Sequence, residues 1–530
     1  MLTLAQMTPE QKLGRVLCCR RMAEQDDIDF TLELVKQEAC GAIQMTFDEE
    51  RRPELVKLFR DAANYPVIMV NDMELGYPKS NRPKLPLSTL AAANNPEYVR
   101  MFAAALAKDA TEAGFNGVWS PIVDIARDYT PCTFSRVAGD DPEDILNVAR
   151  EICKAFDSYR LHPTVKHYPG AKDQPFDSHM VAPHTQITKE FMLSTTLLPY
   201  RKLMEEGLMP AIMVGHHVCD SIDPGVPGSL SKKVIDIIRE IGFDGVVYSD
   251  SLAMISILQT YGEKQAYAMA LMAGNDILLP NYRRPTREVY EMLLDAYREG
   301  AITDDRLDEA VRRVMALEQY CAAKPENPIP VPDNANEIIA MAARDCITAD
   351  CDEGVSPAID PNKKRLFVVV VPQDHSDGDV SEEVAVTAPH NANHTIRAIR
   401  EHFPNSDIEL IPEFPQPMDN NRVLTAATNY EEVVVVSFCI TAPYMGTDCL
   451  TRRIEAVINA LAIPGKIEAL VHFGNPLALQ NLHHIPRKLY GYNASASQPY
   501  AIEVLAGKYP AKGKNPFARI CEEFRRKQAL

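Results

Sequence analysis

Short apolar runs alternate with longer helical patterns through the first 320 residues. In the runs, β-branched and apolar side chains follow one another directly; in the longer stretches they recur every three or four positions. The runs fall at 15–19, 41–46, 66–72, 117–124, 162–168, 210–217, 245–251 and 276–280, each followed by a segment able to form a helix. Eight β/α units in this much chain predict a (β/α)8 TIM barrel, an α/β fold whose chemistry sits at the C-terminal ends of the strands. Polar residues lie where such a barrel needs them. Asp72 ends the third run, Asp124 the fourth, Lys166 and His167 the fifth, His216 and His217 the sixth, and Asp250 the seventh.

A proline- and asparagine-rich stretch, Lys324-Pro325-Glu326-Asn327-Pro328-Ile329-Pro330-Val331-Pro332, reads as an inter-domain linker. The expected organisation is a barrel over 1–321, a linker over 322–340 and a second domain over 341–530. Further runs at 365–371, 407–411, 431–438, 466–473 and 488–492 alternate with helical patterns. Near-continuous apolar strands such as Val433-Val434-Val435-Val436 suit a parallel sheet covered on both faces, so the second domain is expected to be a smaller, doubly wound α/β sandwich.

Composition narrows the setting. Hydrophobic residues make up 46% of 530, enough for sizeable cores, and the formal charge of −18 argues against nucleic acid or an anionic membrane as partner. Twelve cysteines are scattered without a C-x-x-C pair, which fits reduced thiols in a cytosol. The first ten residues lack the basic-then-apolar pattern of a signal peptide, and no apolar run reaches transmembrane length. A cytoplasmic protein is expected.

The candidate chemistry is densest over 166–179, where Lys166-His167-Tyr168-Pro169-Gly170 is followed by Asp177-Ser178-His179. Titratable groups at the end of a buried strand are costly unless they serve a ligand or pair with each other. A histidine two residues from an aspartate can be held in one tautomer and made a proton donor near neutral pH; alternatively it is a solvated loop histidine. Lys166 and His167 suit hydrogen bonding to sugar hydroxyls, or else form an ion pair and a satisfied core histidine. Asp250, in Val246-Val247-Tyr248-Ser249-Asp250-Ser251, can attack an electrophilic carbon from a barrel mouth, or can cap the helix that follows.

Taken together these residues resemble glycoside hydrolase family 3, and within it the β-N-acetylglucosaminidase (β-hexosaminidase) branch. That branch carries K-H-F-P-G-H-G-D, then D-S-H, then L-P; here the chain reads Lys166-His167-Tyr168-Pro169-Gly170-Ala171-Lys172-Asp173, Asp177-Ser178-His179 and Ala182-Pro183. The family's nucleophile motif matches Ser249-Asp250-Ser251-Leu252-Ala253-Met254. Its V-D-x-E-G-G motif matches loosely at Asn71-Asp72-Met73-Glu74-Leu75-Gly76, and its R-S-F-G-x-D-P stretch at Arg136-Val137-Ala138-Gly139-Asp140-Asp141-Pro142. Ala273-Gly274-Asn275-Asp276 is typical too. His472-Phe473-Gly474-Asn475-Pro476 and Ala506-Gly507-Lys508-Tyr509-Pro510 look like the family's second domain.

The resemblance implies Asp250 as nucleophile and His179 as acid/base, oriented by Asp177. It implies Asp72, Arg136, Lys166, His167 and His217 as holders of a small carbohydrate substrate, with no cofactor and no metal. The implied reaction is retaining hydrolysis of β-glycosides through a covalent glycosyl-enzyme, most specifically of amino-sugar glycosides. The chain departs from the family at Tyr77, where an arginine is usual, at Ala171-Lys172 in place of His-Gly, and at Val137-Ala138 in place of Ser-Phe.

Three other readings are open. A glycoside phosphorylase would use the same residues, because an uncharged histidine base repels an anionic acceptor less than a carboxylate does. A non-catalytic sugar-binding homologue would keep the fold alone. A metal-dependent barrel hydrolase would use the histidines, six of thirteen of which lie between His162 and His217, but the first strand offers no H-x-H.

Overall fold

In the computed structural model seven short strands stand parallel in one sheet, in the order of the sequence. All residues are described except 46–49, 128–135, 173–176, 372–391, 440–443, 445–448, 493–494 and 529–530. The end of the predicted second strand at Thr46, and Asp173 of the lysine–histidine motif, lie outside the described residues. Two compact units emerge. The first comprises Met1–Asn81, Arg100–Ile125 and Ile145–Pro332, the second Arg82–Val99, Ala126–Asp144 and Asp333–Leu530.

The strands of the first unit are β1 (Cys18–Cys19), β2 (Ala42–Gln44), β3 (Ile68–Asn71), β4 (Gly117–Val118), β5 (His162–Tyr168), β6 (Ala211–Val214) and β7 (Val246–Ser249). After β7, Ile277 makes a single parallel bridge to Tyr248 and Leu278 one to Leu17, so the eighth predicted run stands between the last strand and the first. Several strands are shorter than their apolar runs. Arg15 ends a helix, Pro9–Arg15, started by a capping box in which Thr8 accepts from the Gln11 backbone N–H. The fourth run stops being a strand before Pro121, which has no N–H to give a ladder.

Alternate strand positions build the interior. Ile68 and Val70, Ala211 and Met213, Val246 and Tyr248, and Ile277 and Leu279 share one buried cluster with Cys18, Ala42 and Trp119. Successive residues of a strand alternate between its two faces, so these positions two apart share one side, where Val314 and Leu317 of the helix Asp304–Ala322 join them. The helix Lys232–Glu240 shows the matching logic. Ser231 caps it by accepting from the Val234 N–H, and Val234, Ile235, Ile237 and Ile238 form its buried face. Gly117 is needed for space: a Cβ there would stand 2.0 Å from the His162 ring.

At the strand starts a charged knot replaces apolar packing. Buried Asp276 accepts from Arg239 at 2.7 Å, Arg306 at 2.8 Å and Arg313 at 3.3 Å, and from the Val247 N–H at 3.0 Å.

The second unit holds a six-stranded sheet built from β8 (Thr348–Cys351), β9 (Leu366–Val371), β10 (Asp407–Pro412), β11 (Val433–Phe438), β12 (Ile467–Phe473) and β13 (Arg487–Tyr490). Its spatial order is β8-β13-β12-β11-β9-β10. The five later strands are parallel, as the apolar runs imply, but β8 pairs antiparallel with β13 at one edge. Sequence reading passes over β8 because Thr348-Ala349-Asp350-Cys351 is short and only one of its residues is buried. Among the described residues, no helix is long and apolar enough to cross a membrane.

Candidate active site

Lys166 and His167 end β5 side by side, yet both reach polar partners. The pairing of β5 with β6 shifts register between Lys166 and Tyr168, and an irregularity of this kind re-aims a side chain that strict alternation would send to the opposite face. The buried Lys166 ammonium lies 2.6 Å from Asp72 and 2.6 Å from Glu74. His167 gives its backbone N–H to Asp124 Oδ1 at 2.8 Å, and its Nδ1 lies 3.0 Å from Asp124 Oδ2. A buried cation between two carboxylates, beside a histidine held by a third, offers donors and acceptors together, as recognition of hydroxyl groups requires.

The next loop folds His179 onto Asp177. One carboxylate oxygen, Oδ1, accepts the His179 backbone N–H at 2.9 Å and lies 2.7 Å from Nδ1 of the ring. Asp177 is buried, while the His179 side chain is 21% exposed, so the imidazole remains reachable on its far side. Its loop is fastened to the segment after β7, where the Ile255 N–H donates to the His179 carbonyl at 3.2 Å.

Asp250 stands at the end of β7, its N–H bonded to the Val214 carbonyl of β6 at 2.9 Å. Burial pushes its carboxyl up, but His167, His216, the Ser251 N–H at 2.7 Å and His179 together outweigh that and hold it well below the usual carboxylate range. An ionised carboxylate facing three histidines at a strand end can act as a nucleophile, and a histidine buttressed by a buried aspartate can move a proton. Among the described residues, no group of three or more His, Cys, Asp and Glu is arranged to hold a metal ion.

Seven of the eight residues singled out from the sequence belong to the first unit: Asp72, Lys166, His167, Asp177, His179, His217 and Asp250. Arg136 falls in a segment that groups with the second unit. His217 is buried, and its carbonyl accepts from the Gly228 N–H at 2.9 Å. His216, also buried, lies against the segment that follows β7: its Nε2 is 2.9 Å from the Ser251 carbonyl. Tyr77, where the family has an arginine, meets the Arg52 guanidinium through its hydroxyl.

Sequence reading missed Arg20, just beyond β1. It donates to Ser251 Oγ at 2.7 Å, to the Pro280 carbonyl at 2.9 Å and to Gln44 Oε1 at 2.6 Å. The signal was present, because Arg20 is a charged residue at the C-terminal end of a strand like the others. Glu74 was visible only inside its motif, and Asp124 only as a strand end.

Comparison with known proteins identifies the family. The family model for the glycosyl hydrolase family 3 N terminal domain matches residues 10–317. A β-N-acetylglucosaminidase/β-glucosidase of Cellulomonas fimi is 25% identical over 392 residues, 69% of this chain and 69% of that protein. A β-hexosaminidase of Tolumonas auensis is 29% identical over 248 residues, 44% of this chain and 71% of that one. Two solved structures share the fold. A glycoside hydrolase family 3 β-N-acetylglucosaminidase from Paenibacillus sp. str. FPU-7 has a TM-score of 0.77 at 23% identity, covering 96% of this chain and 99% of that chain. A β-glucoside phosphorylase has a TM-score of 0.78 at 20% identity, over 97% of this chain and 95% of that chain. With more than half of its length matched by the family model, including every residue of the site built above, the chain belongs to glycosyl hydrolase family 3 and is a glycosidase.

Proposed function

We propose that the protein is a retaining β-N-acetylglucosaminidase acting on small amino-sugar glycosides through a covalent glycosyl-enzyme. One observation carries the reading: Asp250, held ionised, faces a histidine that is backed by buried Asp177 and tied to the same strand-end loop. An Asp250 oxygen bonds to the anomeric carbon as the glycosidic C–O bond breaks, and His179 gives its proton to the departing oxygen. Neutral His179 then takes a proton from water, whose oxygen displaces Asp250. Asp72, Lys166, His167 and His217 hold the sugar. The frame is a (β/α)8 barrel closed by the bridges at Ile277 and Leu278, followed by a smaller α/β sandwich, and the compartment is the cytoplasm. The names of the Cellulomonas and Tolumonas relatives support an amino-sugar substrate.

The histidine favours one second reading. Lacking a permanent negative charge, it tolerates phosphate in place of water, so the same residues serve a phosphorylase. An aryl-glycoside panel of β-N-acetylglucosaminides and β-glucosides, run with and without phosphate, decides between them. Free sugar as product supports the hydrolase, and a sugar phosphate selects phosphorolysis. Asp250→Ala and His179→Ala are expected to be inactive on unactivated substrates; full activity of Asp250→Ala would sink the nucleophile assignment.

A further inference from the structure

The residue after the nucleophile is gripped from several directions. The Ser251 N–H donates to Asp250 Oδ1 at 2.7 Å, its hydroxyl oxygen accepts from Arg20 Nη1 at 2.7 Å, and its carbonyl lies 2.9 Å from His216 Nε2. Each gripping group is itself anchored. Arg20 reaches Gln44 at 2.6 Å and the Pro280 carbonyl at 2.9 Å, so its guanidinium spans the ends of β1, β2 and the segment after β7. His216 Nδ1 lies 2.7 Å from Ser229 Oγ, and both residues are buried. A carbonyl can only accept, so His216 Nε2 carries the hydrogen; in the neutral ring Nδ1 then accepts from the Ser229 hydroxyl. Burial pushes the His216 imidazole below the usual histidine range against the upward pull of Asp250, which keeps that neutral tautomer.

We propose that Arg20 and His216 clamp Ser251 from its side chain and its carbonyl, and so fix the peptide whose N–H orients the Asp250 carboxylate for attack. Both are positioning residues that act through Ser251, and the inference rests on the reading of Asp250 as nucleophile. With Oδ1 held by a fixed N–H, the plane of the carboxylate is set and the other oxygen is presented to the anomeric carbon. Near-attack geometry is steep: a displacement of about 1 Å can cost about 100-fold in rate. Neither Arg20 nor His216 lies within 30 residues of Asp250 in sequence, with 231 positions separating Arg20 from Ser251 and 35 separating His216 from it.

The test measures kcat, KM and melting temperature for His216→Leu, His216→Gln and Ser251→Ala, with Asp250→Ala as reference, on an aryl β-N-acetylglucosaminide and an aryl β-glucoside. A glutamine amide places an N–H donor near the position of Nε2. The expected result is a fall in kcat of about 10- to 100-fold for His216→Leu with KM within about twofold, and recovery to within about threefold of wild type in His216→Gln. Ser251→Ala, which releases only the Arg20 arm, is expected to lose about 3- to 10-fold in kcat. An unchanged kcat in both His216→Leu and Ser251→Ala overturns the clamp, as does a rise in KM alone or a His216→Gln variant as impaired as His216→Leu. Should His216→Leu fail to fold, Ser251→Ala decides alone: a loss in kcat upholds the clamp and an unchanged kcat overturns it. Activity surviving in Asp250→Ala overturns the nucleophile reading instead, a distinguishable outcome.

Discussion

Removing the Asp177 carboxylate is expected to weaken both proton transfers made by His179, and kcat/KM reads the first of them, the protonation of the leaving oxygen. In Asp177→Ala two donors of His179 lose their acceptor, the backbone N–H at 2.9 Å and the ring at 2.7 Å. The aspartate side chain is fully buried, so little water stands ready to replace it. A hydrogen bond involving a charged group contributes about 1.5–3 kcal/mol. At about 1.4 kcal/mol per tenfold, that is a loss of about 10- to 150-fold in the step that protonates the leaving oxygen. Asp177→Asn keeps the shape but not the charge and is expected to fall between wild type and alanine, since charge-assisted bonds are about twice as strong as neutral ones. The assay is kcat/KM across glycosides whose leaving groups range from dinitrophenol to a simple alcohol. The full factor should appear with the poorest leaving group and shrink to less than about threefold with dinitrophenol, which departs without a proton. An equal loss across the series, or no loss beside an inactive His179→Ala, would refute the assignment of Asp177 as the orienting group.

Two further outcomes concern stability. Asp276→Ala takes from Arg239, Arg306 and Arg313 the buried carboxylate they share, leaving them their bonds to backbone carbonyls, Glu309 and Asp244, and removing one partner of a buried ion pair costs about 3–5 kcal/mol. Calorimetry should show the first unit melting on the order of 10 °C lower, and a change under about 2 °C would mean that the bonds the three arginines keep are sufficient without Asp276. His162 and His472 are both buried, and burial holds each down to about 4. Their folded values lie below the unfolded value, so the unfolded chain binds more protons as pH falls from the unfolded value towards 4. Each therefore removes stability in that window, about 2 kcal/mol between pH 7 and pH 5. Urea denaturation at the two pH values should show the loss, and His472→Gln should flatten it for the second unit.

Much of the fold was legible because it rests on local rules. Apolar runs broken by helical periods gave the parallel α/β order of the first unit. The habit of polar residues to gather at strand ends marked Asp72, Lys166, His167 and Asp250 before any contact was known. The runs overstated strand length at residues 15–17 and 119–124, where a capping box at Thr8 and the proline at 121 decide the local backbone. They also missed β8, whose strand character comes from its partner β13 and not from its own composition.

The sequence alone determined which residue types were available, and the spacing of Asp177 from His179 came close to determining their contact, because two residues of separation allow a short loop to close on itself. Only the tertiary structure decided what Lys166 and Asp250 face. Lys166 meets Asp72 across 94 residues of chain, and Arg20 meets Ser251 across 231. Such contacts carry no periodic signature, because they depend on the register and twist of a whole sheet that brings distant strand ends to one rim. For the same reason the contact of His216 with the Ser251 carbonyl could not be read from its place beside His217. Successive side chains at a strand end point to different places, and only the folded backbone says which.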